Sequence, residues 1–129
     1  MALTGPLRLL LVEDDRVGAL LFSQALLDSA WISLRVAEDG AEALALAASW
    51  MPQALLLDAH LPDTDGHRLL QRLREQPAMA AVPAWMCSAD NQPEDVARAA
   101  TSGFVGYWSK PLDVPAILAS LRALTTLQG

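Results

Sequence analysis

The chain alternates between short apolar runs and longer stretches in which apolar residues recur every three or four positions. Leu7-Arg8-Leu9-Leu10-Leu11-Val12 is the first run, cut off by Glu13-Asp14-Asp15. Val17 to Leu27 continues without proline and predicts a helix. Ile32 to Ala37 alternates, is β-branched at Ile32 and Val36, and predicts a second strand. Ala41 to Met51 is rich in Ala and Leu and predicts a helix between Asp39-Gly40 and Pro52. Gln53 to Leu57 is a third apolar run, ending on Asp58. Beyond the turn segment Pro62-Asp63-Thr64-Asp65-Gly66, the stretch Leu69 to Arg74 sets Leu69, Leu70 and Leu73 on one helical face. Val82 to Cys87 predicts a fourth strand, and Asp90 or Asn91 would cap a fourth helix with Pro93 in its first turn. Phe104 to Ser109 predicts a fifth strand. Val114, Ile117, Leu118, Leu121 and Leu124 then form the stripe of a last amphipathic helix.

Strand and helix thus alternate strictly, and the strands read as continuous apolar runs. That combination predicts an α/β fold, a parallel sheet buried by helices on both faces. Open sheets of this kind carry their chemistry at the carboxyl ends of the strands. Those ends hold Glu13-Asp14-Asp15, Asp58, Ser88 and Lys110-Pro111. With the first and third strands adjacent, Glu13, Asp14 and Asp58 converge. Like charges about 4 Å apart repel by roughly 4 kcal/mol per pair at an effective dielectric near 20, so the set calls for a cation. All-oxygen donors with room for water suit Mg²⁺, and Lys110 adds a second positive charge. A metal and an ammonium beside one carboxylate, with the Ser88 hydroxyl near, equip Asp58 to accept a phosphoryl group as an acyl phosphate.

These segments together resemble the response-regulator receiver domain of bacterial two-component signalling. The matching stretches are Leu10-Leu11-Val12-Glu13-Asp14-Asp15, Leu55 to Gly66, Ser88-Ala89 and Tyr107-Trp108-Ser109-Lys110-Pro111, and the likeness runs from Leu9 to about Leu124. The resemblance implies a doubly wound, flavodoxin-like sheet of five parallel strands in the order 2-1-3-4-5 with five helices. It implies Asp58 as phosphoacceptor. Glu13, Asp14, Asp58 and the backbone carbonyl of His60 would hold Mg²⁺. Ser88 would be the switch hydroxyl, Lys110 the conserved-type lysine and Tyr107 the aromatic switch, and the Lys110-Pro111 bond is often cis in such domains. Glu13 stands where Asp is common and Ser88 where Thr is common. Both keep the chemistry. His60 and Asp90 lie where the family tunes the lifetime of its acyl phosphate.

The implied partners are a histidine kinase or histidine phosphotransfer domain, and a downstream protein at the face of the fourth helix, fifth strand and fifth helix. A homodimer formed on phosphorylation is a further partner the resemblance allows. Self-phosphorylation and autodephosphorylation would be weak, making the chain a switch rather than an enzyme. Two alternatives compete. One is a receiver-like docking module that works without phosphorylation. The other is an aspartyl-nucleophile phosphatase or phosphotransferase. A haloacid-dehalogenase pattern wants a second Asp two residues after the nucleophile, and His60 stands there.

Composition narrows the field further. At 129 residues and 53% hydrophobic, the chain suits a single domain, expected to be a receiver over residues 1–129 with its core at about 7–126 and no effector domain. The net charge of -6 and the pI near 4.6 speak against direct nucleic-acid binding. Apolar runs fall short of the ~20 residues of a membrane span, and no signal-peptide pattern opens the chain, so a cytoplasmic location is expected. The single cysteine, Cys87, excludes a disulfide framework and reads as a buried strand residue. His60 and His67 fit no zinc spacing and read as surface residues. Asp14 and Asp15 are also good helix-capping residues. Trp31, Trp50 and Trp85 read as packing residues, with Trp108 bordering the signalling face. The Ala-rich segment Val96 to Ala100 reads as a weakly anchored helix.

Overall fold

The computed structural model describes residues 5–90 and 92–128, with burial described through residue 125. Its elements are β1 (Leu7–Val12), α1 (Arg16–Ala25), β2 (Ile32–Ala37), α2 (Gly40–Trp50), β3 (Ala54–Asp58), α3 (Gly66–Arg74), a short 3-10 turn (Pro77–Met79), β4 (Ala84–Ser88), α4 (Pro93–Thr101), β5 (Gly106–Ser109) and α5 (Val114–Gln128). The strands form one five-stranded sheet in the order β2-β1-β3-β4-β5, and every pair is parallel. The expected architecture is the observed one.

Successive residues of the central strands feed opposite cores. Leu10, Val12, Leu55, Leu57 and Met86 pack with Ala43 and Ala47 of α2, Leu69, Leu70 and Leu73 of α3, and Ala99 of α4. Leu9, Leu11, Leu56, Trp85 and Cys87 pack with Ala19 and Phe22 of α1, Leu26, and Ile117 and Leu121 of α5. β1, β3 and β4 are therefore buried on both faces, which explains their unbroken apolar runs.

The boundaries differ from the periodic reading for local reasons. α2 stops at Trp50 because Met51 turns left-handed, φ 52°. α3 starts at Gly66 rather than near Leu69, because the Asp65 carboxylate caps it by accepting from the Arg68 N–H at 2.8 Å. β4 starts only at Ala84, since Pro83 has no N–H and the Val82 carbonyl accepts from the Arg74 guanidinium. Phe104 lies before β5 and turns into the core, its N–H donating to the Ala99 carbonyl. The α4 cap is a correction. Gln92 occupies the cap position without a side-chain bond, the Asp90 carboxylate faces His60 instead, and Asn91 lies outside the described residues.

One glycine fixes the site's floor. A Cβ on Gly66 would lie 2.8 Å from the Asp58 carbonyl oxygen and 2.9 Å from Met86 Sδ. Only a residue without a side chain lets α3 begin directly against the end of β3.

Candidate functional site

Strand register assembles the site. Val12 pairs with Leu57, so the next residues, Glu13 and Asp58, leave β1 and β3 at the same sheet end. Ser88 pairs with Ser109, and the Lys110 N–H donates to the Ser88 carbonyl at 2.9 Å, which sets Lys110 beside them. The Lys110-Pro111 bond is cis.

Carboxylate oxygens of Glu13, Asp14 and Asp58 lie within 4.8 Å of one another. Glu13 is 6% exposed and Asp58 7%, whereas Asp14 is open to solvent. Lys110 Nζ reaches Glu13 Oε1 at 2.5 Å and Asp58 Oδ1 at 3.2 Å. Asp15 is not in the cluster. It caps α1, accepting from the Val17 N–H at 3.1 Å. The acidic triplet therefore divides its work, and the capping reading holds for one residue of it.

The electrostatics of the cluster follow from burial and from the neighbouring charges. Burial, reinforced by the neighbouring Asp58, raises the Glu13 carboxyl above the ordinary value of 4.5. Burial alone would lower the Lys110 ammonium, but its hydrogen bond to Glu13 and the charges of Asp58 and Glu13 outweigh this and raise it above 10.5. The two directions have different leading causes: burial holds the Glu13 proton, and the adjoining carboxylates hold that of Lys110. Two buried carboxylates and one exposed carboxylate, all hard oxygen donors, fit a small divalent cation.

Around this cluster, Asp90 ties the remaining candidates together. Its N–H donates to Ser88 Oγ at 3.0 Å, and its carbonyl accepts from the Tyr107 hydroxyl. Its carboxylate lies 3.2 Å from His60 Nε2, both side chains being largely exposed. Ser88 is buried and Tyr107 half-buried on the α4 side of the sheet. Sequence reading placed these residues near one another but not on a common hub. The link runs through backbone groups of a loop, which side-chain types do not announce.

Other expectations resolve as follows. Cys87 is buried and its thiol is pushed up to about 12 by desolvation, so it is inert. Trp85 is core. Trp31 and Trp50 are half-buried under the guanidinium groups of Arg122, at 4.1 Å, and Arg35, at 4.9 Å. Trp108 packs on the α1–α5 side, its Nε1 buried without a partner. Ala99 alone of α4 is buried, as a weakly anchored helix requires. No helix among the described residues is long and apolar enough to cross a membrane.

Three features escaped the sequence reading. α1 carries a second apolar face, with Val17, Leu20 and Leu21 exposed in the helix and Leu27 just beyond it. A groove of about 560 Å³ lined by Val17, Leu21, Phe22 and Leu112 opens onto Glu13 and Lys110. Asp63, read only as a turn residue, reaches across to α2. His67 is not a plain surface residue. Its Nδ1 is 2.9 Å from Ser102 Oγ and its ring meets Phe104 edge-on at 5.8 Å. Desolvation, then the charge of Arg98, lowers its pKa below 6.5, with Asp65 and Asp95 opposing. Folding therefore favours the neutral ring. That contribution is full above 6.5 and is lost as pH falls through the folded-state pKa. Urea unfolding from about pH 8 to about pH 5.5 should show a larger loss of stability in wild type than in His67→Gln. Equal losses would mean that His67 carries none of the acid sensitivity.

Comparison with known proteins adds the lineage. Residues 9–122 match the family model of the response regulator receiver domain. The DNA-binding dual master transcriptional regulator RpaA of Synechocystis sp. is 37% identical over 117 residues, covering 91% of this chain and 48% of that protein. The receiver domain of the Francisella response regulator 1452 superposes with a TM-score of 0.83 at 26% identity, covering 95% of this chain and 98% of the other. The Vibrio cholerae chemotaxis protein CheY4 shares the fold, with a TM-score of 0.84 at 24% identity over 92% of this chain and 98% of its own. The chain spans about half the length of the first curated relatives it matches.

Proposed function

The chain belongs to the response regulator receiver domain family, a family of signalling domains rather than classical enzymes, and from that premise we propose that it is a phosphorylation switch with Asp58 as phosphoacceptor. The observation that carries the reading is the buried Asp58 carboxylate clustered with those of Glu13 and Asp14, with Lys110 Nζ reaching both Glu13 and, at 3.2 Å, Asp58. A histidine kinase or histidine phosphotransfer domain presents a phosphohistidine. An Asp58 oxygen attacks phosphorus, the P–N bond breaks, and its electron pair leaves on the imidazole. In this reading Glu13, Asp14, Asp58 and the His60 carbonyl would hold Mg²⁺, which would supply charge to neutralise phosphoryl oxygens. Lys110 supplies the second positive charge, and the Ser88 hydroxyl donates to a phosphoryl oxygen.

The donor is proposed to seat on the apolar groove beside α1, because that groove opens onto Glu13 and Lys110. The output follows from Asp90. When Ser88 turns to the phosphoryl group it gives up the Asp90 N–H, and the loop that also holds the Tyr107 hydroxyl is released. α4, in which Ala99 alone is buried, then shifts, and a downstream protein reads the α4-β5-α5 face, where Val96 and Val105 are exposed. That partner includes a second copy of this chain where phosphorylation drives dimerisation. His60 and Asp90, paired at the mouth, set the lifetime of the acyl phosphate by controlling the attacking water. The cytoplasm is the proposed location.

Intact mass after incubation with acetyl phosphate tests the reading. One phosphoryl adduct is expected with Mg²⁺ and none with EDTA. No adduct, even at short times in the cold, would leave the phosphorylation-independent docking module as the function.

A further inference from the structure

The first N–H groups of a helix have no partner inside it. In α2 the Asp39 carboxylate takes the Glu42 N–H at 2.8 Å. The N–H groups of Gly40 and Ala41 are taken by one residue from far along the chain, Asp63, whose two oxygens accept at 2.8 and 3.0 Å. Asp63 sits at the tip of the loop that follows Asp58. The base of that loop is closed by Ala59 N–H on the Cys87 carbonyl at 2.9 Å and Gly66 N–H on the Ala59 carbonyl at 3.0 Å. Leu61 N–H on the Thr64 carbonyl tightens the turn at 3.0 Å. His60 therefore lies between a fixed base and a fixed tip.

The tip contact leaves no slack. A Cβ on Gly40 would come 2.6 Å from Thr64 Cγ2 and 3.3 Å from Asp63 Oδ1. The absence of a side chain at Gly40 is what lets loop and helix end meet. The Asp63 carboxyl, though solvent-exposed, is held below its ordinary value by the Gly40 N–H first, so it stays charged.

We propose that Asp63 is a positioning residue for the cation site: by gripping the first two amides of α2, it fixes the loop that carries His60 away from Asp58 and so sets cation affinity at the Glu13–Asp14–Asp58 cluster. The inference rests on reading that cluster as the Mg²⁺ site. It differs from a plain helix-capping role, in which Asp63 would support α2 and leave the cation indifferent.

The experiment is an NMR titration of the whole chain with MgCl₂, following backbone amides beside Asp58, with thermal unfolding in EDTA measured on the same samples. Asp63→Ala is expected to raise the Mg²⁺ dissociation constant about tenfold, the low end of what outer supports of metal ligands contribute. Gly40→Ala keeps both Asp63 oxygens and improves intrinsic helix propensity, yet should weaken Mg²⁺ comparably by pushing the loop away. Adding Thr64→Ser to Gly40→Ala removes the methyl in the way and should restore most of the affinity. If Asp63→Ala does not fold, the Gly40→Ala pair carries the test. Dissociation constants within about twofold of wild type, whatever the melting temperatures do, overturn the proposal. A wild-type chain with no saturable Mg²⁺ response overturns the cation reading, and this inference with it.

Discussion

Asp58→Asn is expected to lose the phosphoryl adduct completely and, in EDTA, to become more stable than wild type. The loss follows from chemistry, because an amide oxygen is a far poorer nucleophile than a carboxylate and no other buried carboxylate is placed to substitute. Glu13 is already engaged by Lys110 at 2.5 Å. The gain follows from the charge balance. Glu13 and Asp58 are both buried, and among the charges at the site only Lys110 is positive. Asn keeps an oxygen for Lys110 Nζ and removes one negative charge. A full repulsion of roughly 4 kcal/mol at about 4 Å would be offset by the Lys110 ammonium and by solvent at the open side of the cluster, which reduce the gain to about 1 kcal/mol. Urea unfolding in EDTA measures it. Mg²⁺ should then stabilise wild type more than the variant, since binding to the folded state adds to stability by mass action. A variant less stable than wild type in EDTA would mean that the Asp58–Lys110 contact outweighs the repulsion.

Lys110→Met should show the opposite balance. It leaves Glu13 and Asp58 buried without their cation, the situation in which breaking a buried pair costs several kcal/mol. The Lys110 side chain is 26% exposed and the Glu13 carboxyl, already raised by burial, can take up a proton, so about 2 kcal/mol is the expected loss. Adduct formation should slow by about a hundredfold, the scale of one electrostatic contact to a developing charge. Adding Mg²⁺ should narrow the stability gap, because the ion supplies charge at the place where the ammonium is missing. A gap that Mg²⁺ leaves unchanged would separate the lysine's structural role from the cation site. Lys110→Arg keeps the charge but not the reach of a point ammonium, and should fall between the two.

Much of this site is legible in the sequence alone. Glu13, Asp14, Asp58, Ser88 and Lys110 each follow an apolar run directly or within a residue or two, and a parallel sheet gathers its strand ends at one edge. The helix boundaries were less legible, because caps decide them. Asp65 starts α3 three residues before its first large apolar side chain, and Met51 ends α2 by a left-handed turn that hydrophobic period does not encode. The part of Asp90 in joining Ser88, Tyr107 and His60 was not legible, since two of those links use its backbone.

What the sequence by itself determined is the alternation of strand and helix, the two-sided burial of the central strands and the identity of the groups at their ends. These follow from side-chain polarity read along a local period, which neighbouring residues settle among themselves. Tertiary structure alone decided the grip of Asp63 on α2, the packing of His67 against Phe104 and Ser102, and the apolar groove beside α1. Each joins residues brought together by the path of a loop or the packing of separate helices. The same residue types, spaced the same way, would be a turn, a surface histidine and an ordinary helix in a chain whose loops ran elsewhere.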